Sequence, residues 1–159
     1  MIKKNDVFTC VIEDLGSTGE GIARIDNFVI FIDGALIGEK CKIKILKSKK
    51  NYGYGKIIDI LEPSENRVIP RCNVYGKCGG CNLQHLNYEG QLKYKEDKLK
   101  SCLEKIGGFK NIKIDNIVSS NNYNYRNKSQ FPIRKIDDKA QIGFYAKNSH
   151  RLIPCIDCS

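Results

Sequence analysis

The chain has 159 residues, 41% of them hydrophobic, enough for one ordinary domain or two small ones with a packed core. No apolar run approaches the roughly eighteen residues that cross a bilayer, and the start "MIKKNDVFTCVIEDL" lacks the apolar region and cleavage site of a signal peptide, so the sequence reads as a cytoplasmic monomer with no membrane partner. The 27 Lys plus Arg against 18 Asp plus Glu leave a net charge of +9, which points to a polyanion as partner, although a lysine-rich solvated surface would give the same balance.

From Asp6 to Leu61 short apolar and β-branched runs alternate with turn residues, the pattern of a small all-β unit. The expected strands are Val7 to Leu15, Gly21 to Ile25, Phe28 to Ile32, Lys40 to Leu46 and Gly53 to Ile60. The intervening "GSTGE", "DN", "DGALIGE" and "KSKKNY" carry the Gly, Asn and Asp of tight turns. Five such strands point to a closed barrel of the OB type. The glycines of "LGSTGEGIARI" do not make a dinucleotide fingerprint, because strands follow them rather than the helix whose N-terminus would face a phosphate.

"LEPSENRVIP", a polar run between two prolines, reads as a linker, and residues 63–71 are assigned to it. After a cysteine group, Asn87 is placed to cap a helix from about Tyr88 to Ile106, with Leu92, Leu99, Leu103 and Ile106 along one side and Gly107 and Gly108 ending it. The stretches "NIKIDNIVSS", "YRNKSQFPIR", "AQIGFYA" and "HRLIPCI" alternate as strands of a second sheet. The fold class is thus mainly β with α, a five-stranded OB-like barrel at 1–62 followed by a partial α+β unit at 72–159.

The eight cysteines read as reduced thiols, since cytosolic thiols stay reduced and a chain with this much regular pattern needs no staples. Five residues separate Cys72 from Cys78 and two separate Cys78 from Cys81, with Gly79 and Gly80 in the short gap letting the backbone fold closely. Three grouped thiolates and one remote one favour an iron–sulfur cluster, whereas structural zinc sites more often pair their ligands two and two. The remote ligand comes from Cys10, Cys41, Cys102, Cys155 or Cys158. The first three read as small core residues, and spacing does not separate the last two, although the end of a strand favours Cys158. His85 would complete a Cys3His zinc site, but a lone histidine before a helix is more often a hydrogen-bonding structural residue.

The second constellation is basic with aromatics interleaved. From Lys40 to Lys56 there are seven lysines and no acid, with Tyr52 and Tyr54 alongside, and "NYNYRNKSQ" groups Tyr123, Tyr125, Arg126, Asn127 and Lys128. Lysines neutralise phosphates without reading sequence, while tyrosine and arginine stack on unpaired bases, which suits single-stranded or looped RNA.

The chain resembles the N-terminal part of the bacterial RNA (uracil-5-)-methyltransferases, especially those acting on 23S ribosomal RNA. The likeness runs through "GSTGEGIAR", the cysteine motif with its "LQH" tail and "QLKYK", "YRNKSQFPIR" and "IGFYAKNSHRLIPCIDC". It implies an RNA-binding TRAM barrel over 1–62 and a central domain whose 4Fe-4S cluster is held by Cys72, Cys78, Cys81 and Cys158, with Cys155 as the extra residue. It further implies RNA contacts by Arg24, Lys47, Lys49, Lys50, Tyr125, Arg126 and Lys128. The helix after the cysteines is expected to pack over the cluster, which gives the cluster a structural rather than redox role. Such enzymes bind S-adenosylmethionine in a further domain, which also supplies a cysteine that adds to uracil carbon 6 and a glutamate base. That machinery is not visible in this sequence, so the chain by itself is expected not to methylate. A free-standing RNA-binding module or iron–sulfur sensor is the alternative. Methylthiotransferases also combine a TRAM barrel with a three-cysteine cluster, but with three residues in the first gap and the barrel at the other end.

Overall fold

The computed structural model describes residues 2–155 and 158. Residues 156, 157 and 159 of the tail "RLIPCIDCS" lie outside them, as does Ile156 of the last expected strand.

The first half is a mixed six-stranded sheet. Its strands are β1 (Val7–Val11), β2 (Asp14–Leu15), β3 (Gly21–Ile25), β4 (Phe28–Asp33), β5 (Lys40–Ser48) and β6 (Tyr52–Glu62), in the order β1-β5-β6-β4-β3-β2. The single strand expected over Val7 to Leu15 is two, and the break has a geometric purpose. β1 pairs with β5 at one edge of the sheet, while β2 pairs with β3 at the other. At the break, Ile12 N donates to Glu39 O and Glu13 N donates to Ile22 O, so one continuous segment joins both edges and the sheet closes on itself. Closure removes free edges, which a six-stranded open sheet would expose.

Alternation explains the interior. Ile12, Ala23, Ile30, Ile32, Cys41, Ile43 and Ile45 all point inward and are buried. β6 places glycines in that inward row: a Cβ on Gly53 would meet Phe28 at 3.0 Å, and one on Gly55 would meet Ile30, Ile32 and Ile43 at 3.3–3.5 Å. The β3–β4 hairpin turns on Asp26 and Asn27, both with positive φ, the conformation that a two-residue turn of the favoured twist requires.

The second half holds one helix and one small sheet. Helix α1 (Tyr88–Lys105) is capped by Asn87, whose side chain accepts from Gly90 N at 2.8 Å, and it gives way to Gly107 and Gly108. Strands β7 (Ile133–Ile136), β8 (Lys139–Tyr145) and β9 (Leu152–Pro154) form an antiparallel sheet in chain order. Four expectations fail here. "NIKIDNIVSS" is not a strand, and of "YRNKSQFPIR" only the last two residues are, because alternating side chains make a strand only where a partner edge supplies a ladder. Leu92, Leu99, Leu103 and Ile106 also do not bury a helix face: no residue of α1 is buried, and Ile106 is 84% exposed. The face that docks is the one bearing Tyr94 and Lys98, which donate to the carbonyls of Gly16 and Ser17 on the barrel, the first at 2.7 Å. Cys102, expected in a core, is exposed for the same reason.

The two halves are also joined through residues 63–71. Glu39, fully buried, receives Arg67 through Nε at 2.5 Å and Nη2 at 2.8 Å, and it accepts from Leu36 N and Ser64 N as well. Arg67 Nη2 also donates to Gly34 O at 2.6 Å. Burial alone would raise the Glu39 carboxyl, but these hydrogen bonds and the Arg67 charge outweigh it and hold the carboxyl below its usual range. On the other side of the junction, Gly19 has φ +86° and a Cβ there would stand 2.8 Å from Leu83, so the "GSTG" turn needs glycine for both its conformation and its neighbour. Among the described residues no helix is long and apolar enough to cross a membrane.

Candidate functional site

Residues 72–86 form an irregular loop stabilised by its own turns. Tyr75 N donates to Cys72 O, Lys77 N and Cys78 N donate to Val74 O, and Cys72 N donates to the Gln84 side chain at 3.2 Å. The loop is pinned to the small sheet at Gly79, whose N donates to Tyr145 O at 2.9 Å, beside a bridge between Cys78 and Ala146. A Cβ on Gly79 would meet Tyr145 O at 3.0 Å and Lys147 N at 3.1 Å, and one on Gly80 would lie 3.4 Å from Cys78 Sγ. The paired glycines therefore serve the approach of loop to sheet as much as the space around the sulfurs.

This docking creates one cavity. Cys72, Cys78 and Cys81 line it from the loop, Cys155 and Cys158 from the chain after β9, and Arg126, Val74 and Phe144 complete its walls. No residue of α1 lines it, but the helix packs against the loop beside it: Gln91 Nε2 donates to Leu86 O at 2.9 Å and to Leu83 O at 3.3 Å, and Tyr88, Gln91, Leu92 and Lys95 share a groove with Gly80 and Cys81. Burial raises the Cys155 and Cys158 thiols, and the neighbouring cysteines raise them further, while Arg126 opposes the rise at Cys158. Among the described residues no three His, Cys, Asp or Glu side chains converge closely enough to chelate a single metal ion. A zinc needs every sulfur about 2.3 Å from one point, whereas a cluster of several irons and sulfides is larger and holds its thiolates around a cavity. The five cysteines share one cavity without converging on a single point.

The other cysteines behave differently. Cys10 and Cys41 sit in the barrel interior, where burial raises the first thiol and pushes the second to about 11, as for inert core thiols. His85 is buried with its Nδ1 2.5 Å from the Tyr75 hydroxyl, and its Nε2 has no partner among the described residues. Burial, aided by the Arg67 charge, brings its pKa down to about 4, so the ring is neutral at pH 7. It does not line the cysteine cavity.

The basic residues fall into separate groups. Lys47, Lys49 and Lys50 gather with Lys3 and Lys4 at one end of the barrel. Arg24 lies on the barrel's outer surface, paired with Glu13 at 2.5 Å. Tyr125 and Arg126 line a groove against α1 with Tyr123 and Lys95, and Arg126 also reaches the cysteines; Lys128 is exposed and lines neither. Cys155, named from the sequence as a candidate remote ligand, lines the cavity with the other four thiols. One feature escaped the sequence reading: Phe31, which joins Tyr52 and Tyr54 only through strand pairing.

Comparison with known proteins agrees with this anatomy. Residues 3–58 match the TRAM domain family. Over 99% of its length the chain is 45% identical to an uncharacterized RNA methyltransferase of Clostridium tetani and 43% identical to one of Clostridium acetobutylicum, covering 34% and 35% of those proteins. The chain thus spans about a third of the length of the curated relatives it matches. Among solved structures it resembles the tRNA (uracil-54, C5)-methyltransferase of Pyrococcus abyssi in complex with S-adenosyl-L-homocysteine, at 27% identity over 94% of this chain and 32% of that one, with a TM-score of 0.61.

Proposed function

Taking as premise that this chain carries a TRAM domain and corresponds to the N-terminal part of RNA methyltransferases, we propose that it is the RNA-gripping, 4Fe-4S-carrying portion of an S-adenosylmethionine-dependent RNA (uracil-5-)-methyltransferase. The solved relative is a tRNA (uracil-54, C5)-methyltransferase; the family resemblance implies 23S ribosomal RNA as the substrate of this one. The observation that carries the proposal is the cavity in which a loop and a distant chain end present five thiols together.

In this reading Cys72, Cys78, Cys81 and Cys158 hold the cluster and Cys155 stands beside it. The cluster supplies a rigid covalent tie rather than a reacting centre. The protein's own residues do the remaining work: Gly79 fixes the loop to β8, and Arg126 sets positive charge against the thiolates. Lys47, Lys49 and Lys50 attract phosphates at the barrel's end, with Arg24, Tyr125 and Lys128 as further contacts. No residue of this chain is assigned to methyl transfer.

Anaerobic purification with iron and sulfide analysis tests the centre. About four irons and four sulfides per chain are expected, and they should be lost in Cys158→Ala but kept in Cys102→Ala. One zinc per chain, or iron that survives Cys158→Ala, would overturn the assignment.

A further inference from the structure

The sequence of β6 begins Tyr52-Gly53-Tyr54-Gly55, and the strand period of two has a direct consequence. The glycines face a barrel interior already filled, so both tyrosines are placed on the outer surface, where they are 38% and 43% exposed. β4 runs parallel to β6 with Phe31 opposite Tyr54, which adds a third ring to the same face. The three centroids are 5.7–5.9 Å apart. Tyr52 stands at 81° and 83° to the other two, so the group presents ring faces in two directions.

The surroundings suit a charged polymer. Lys47 sits across from Tyr54 on β5, Lys56 follows on β6, and Arg24 lies on the next strand beyond Val29. Three acids are nearby and each is engaged: Asp33 with Lys147 at 2.6 Å, Glu13 with Arg24 at 2.5 Å, and Glu20 with the Thr18 hydroxyl at 2.5 Å. Phe31, Tyr54 and Leu46 form one wall of a groove whose other wall is Tyr145, Lys147 and Asn148 of the second half. The groove ends close to Gly79, next to the cysteine loop.

We propose that Phe31, Tyr52 and Tyr54 form a stacking platform for the unpaired bases of single-stranded RNA, with Lys47, Lys56 and Arg24 taking the flanking phosphates and the groove leading the strand toward the cysteine loop. Aromatic rings stack on any base because every base has a π-face, whereas duplex bases are already stacked and unavailable. The platform therefore selects unpaired over paired RNA without reading sequence. This rests on the RNA-binding reading above and assigns it a substrate class.

The test uses the whole chain with an unstructured RNA oligonucleotide and an RNA duplex of the same length, titrated at several salt concentrations. Tyr52→Ala with Tyr54→Ala should weaken single-strand binding about tenfold or more, in keeping with roughly 1–3 kcal/mol per stacked base. It should leave duplex affinity and the salt slope unchanged, and Tyr52→Phe with Tyr54→Phe should bind within about twofold of the unaltered chain. Lys47→Gln, Lys49→Gln and Lys50→Gln together should lower the single-strand salt slope by about two, at roughly 0.7 per phosphate contact. Unchanged single-strand affinity in the alanine pair, with the lysine effect intact, overturns the platform and spares the RNA-binding reading. An equal loss on duplex also overturns the platform. Absence of binding to either RNA, or indifference to the lysine changes, overturns the RNA-binding reading itself.

Discussion

The barrel and the region after it reach their shapes by different means. The barrel closes around a continuous set of aliphatic side chains, and Ile30, Ile32, Ile43 and Ile45 are wholly removed from solvent. The second half buries Leu86, Leu152 and Ile153, while its helix buries nothing and Phe109, Val118 and Ile133 are well exposed. Burial at about 25 cal/mol per Å² of apolar surface accounts for the first arrangement and falls short for the second. The second is organised by point contacts: Arg67 on Glu39, Tyr94 on Gly16, Tyr88 on Ser120, Arg71 over Tyr123, and the loop docked at Gly79. Such a region gains most from a cross-link, which is what the proposed cluster on Cys72 and Cys158 would supply.

That contrast is open to attack at its strongest joint. Arg67→Ala leaves the Glu39 carboxylate buried without its cation and should cost about 3–5 kcal/mol. Because Glu39 belongs to the barrel, urea unfolding should show the barrel's own transition moving to lower denaturant. A change confined to the second half would mean that the barrel is independent of it.

Acid should act on both halves at once. His85 falls from an ordinary 6.5 to about 4 on folding, so between those values the unfolded chain binds the extra proton and stability drops as pH drops. The expected loss across that window is on the order of 3 kcal/mol at about 1.4 kcal/mol per pH unit. Glu39, held below its usual range, adds a further loss only as pH falls below about 4.5. Denaturation midpoints from pH 7 to 4 should decline, and His85→Gln should flatten the part between 6.5 and 4.5. An unaltered decline in that variant would exonerate the histidine.

Smaller effects sharpen the comparison. Tyr94→Phe removes the hydrogen bond to Gly16 O and should cost about 1 kcal/mol, with faster amide exchange in α1 and none in the barrel. Arg24→Gln breaks an exposed pair with Glu13 and should change stability by under about 0.5 kcal/mol. A larger loss there would show that the barrel also leans on surface charge.

Legibility in the sequence follows the same division. Strands β3 to β6 lay within two residues of their expected bounds because their inward residues alternate and "DN", "GSTGE" and "KSKKNY" punctuate them. Asn87 and the terminal glycines marked α1 for equally local reasons. The docking of α1 was not legible, since it is made through polar tips: Tyr94 and Lys98 on the barrel and Gln91 on the cysteine loop. The isoleucines of "NIKIDNI" imitated a strand because alternation records a half-buried surface, not the presence of a neighbour to bond with. Among site residues, the thiols of Cys72, Cys78 and Cys81 announced themselves by spacing. Phe31 depended on cross-strand neighbours, which spacing does not encode.

The broken first strand has one more implication. Because β1 and β2 seal opposite edges, removing residues 2–15 would bare the ladders of β5 and β3 simultaneously. An N-terminal truncation thus leaves two sticky borders rather than one. The lysines of β5, Lys40, Lys42, Lys44 and Lys47 spaced along it, are then a safeguard against self-association at the bared edge.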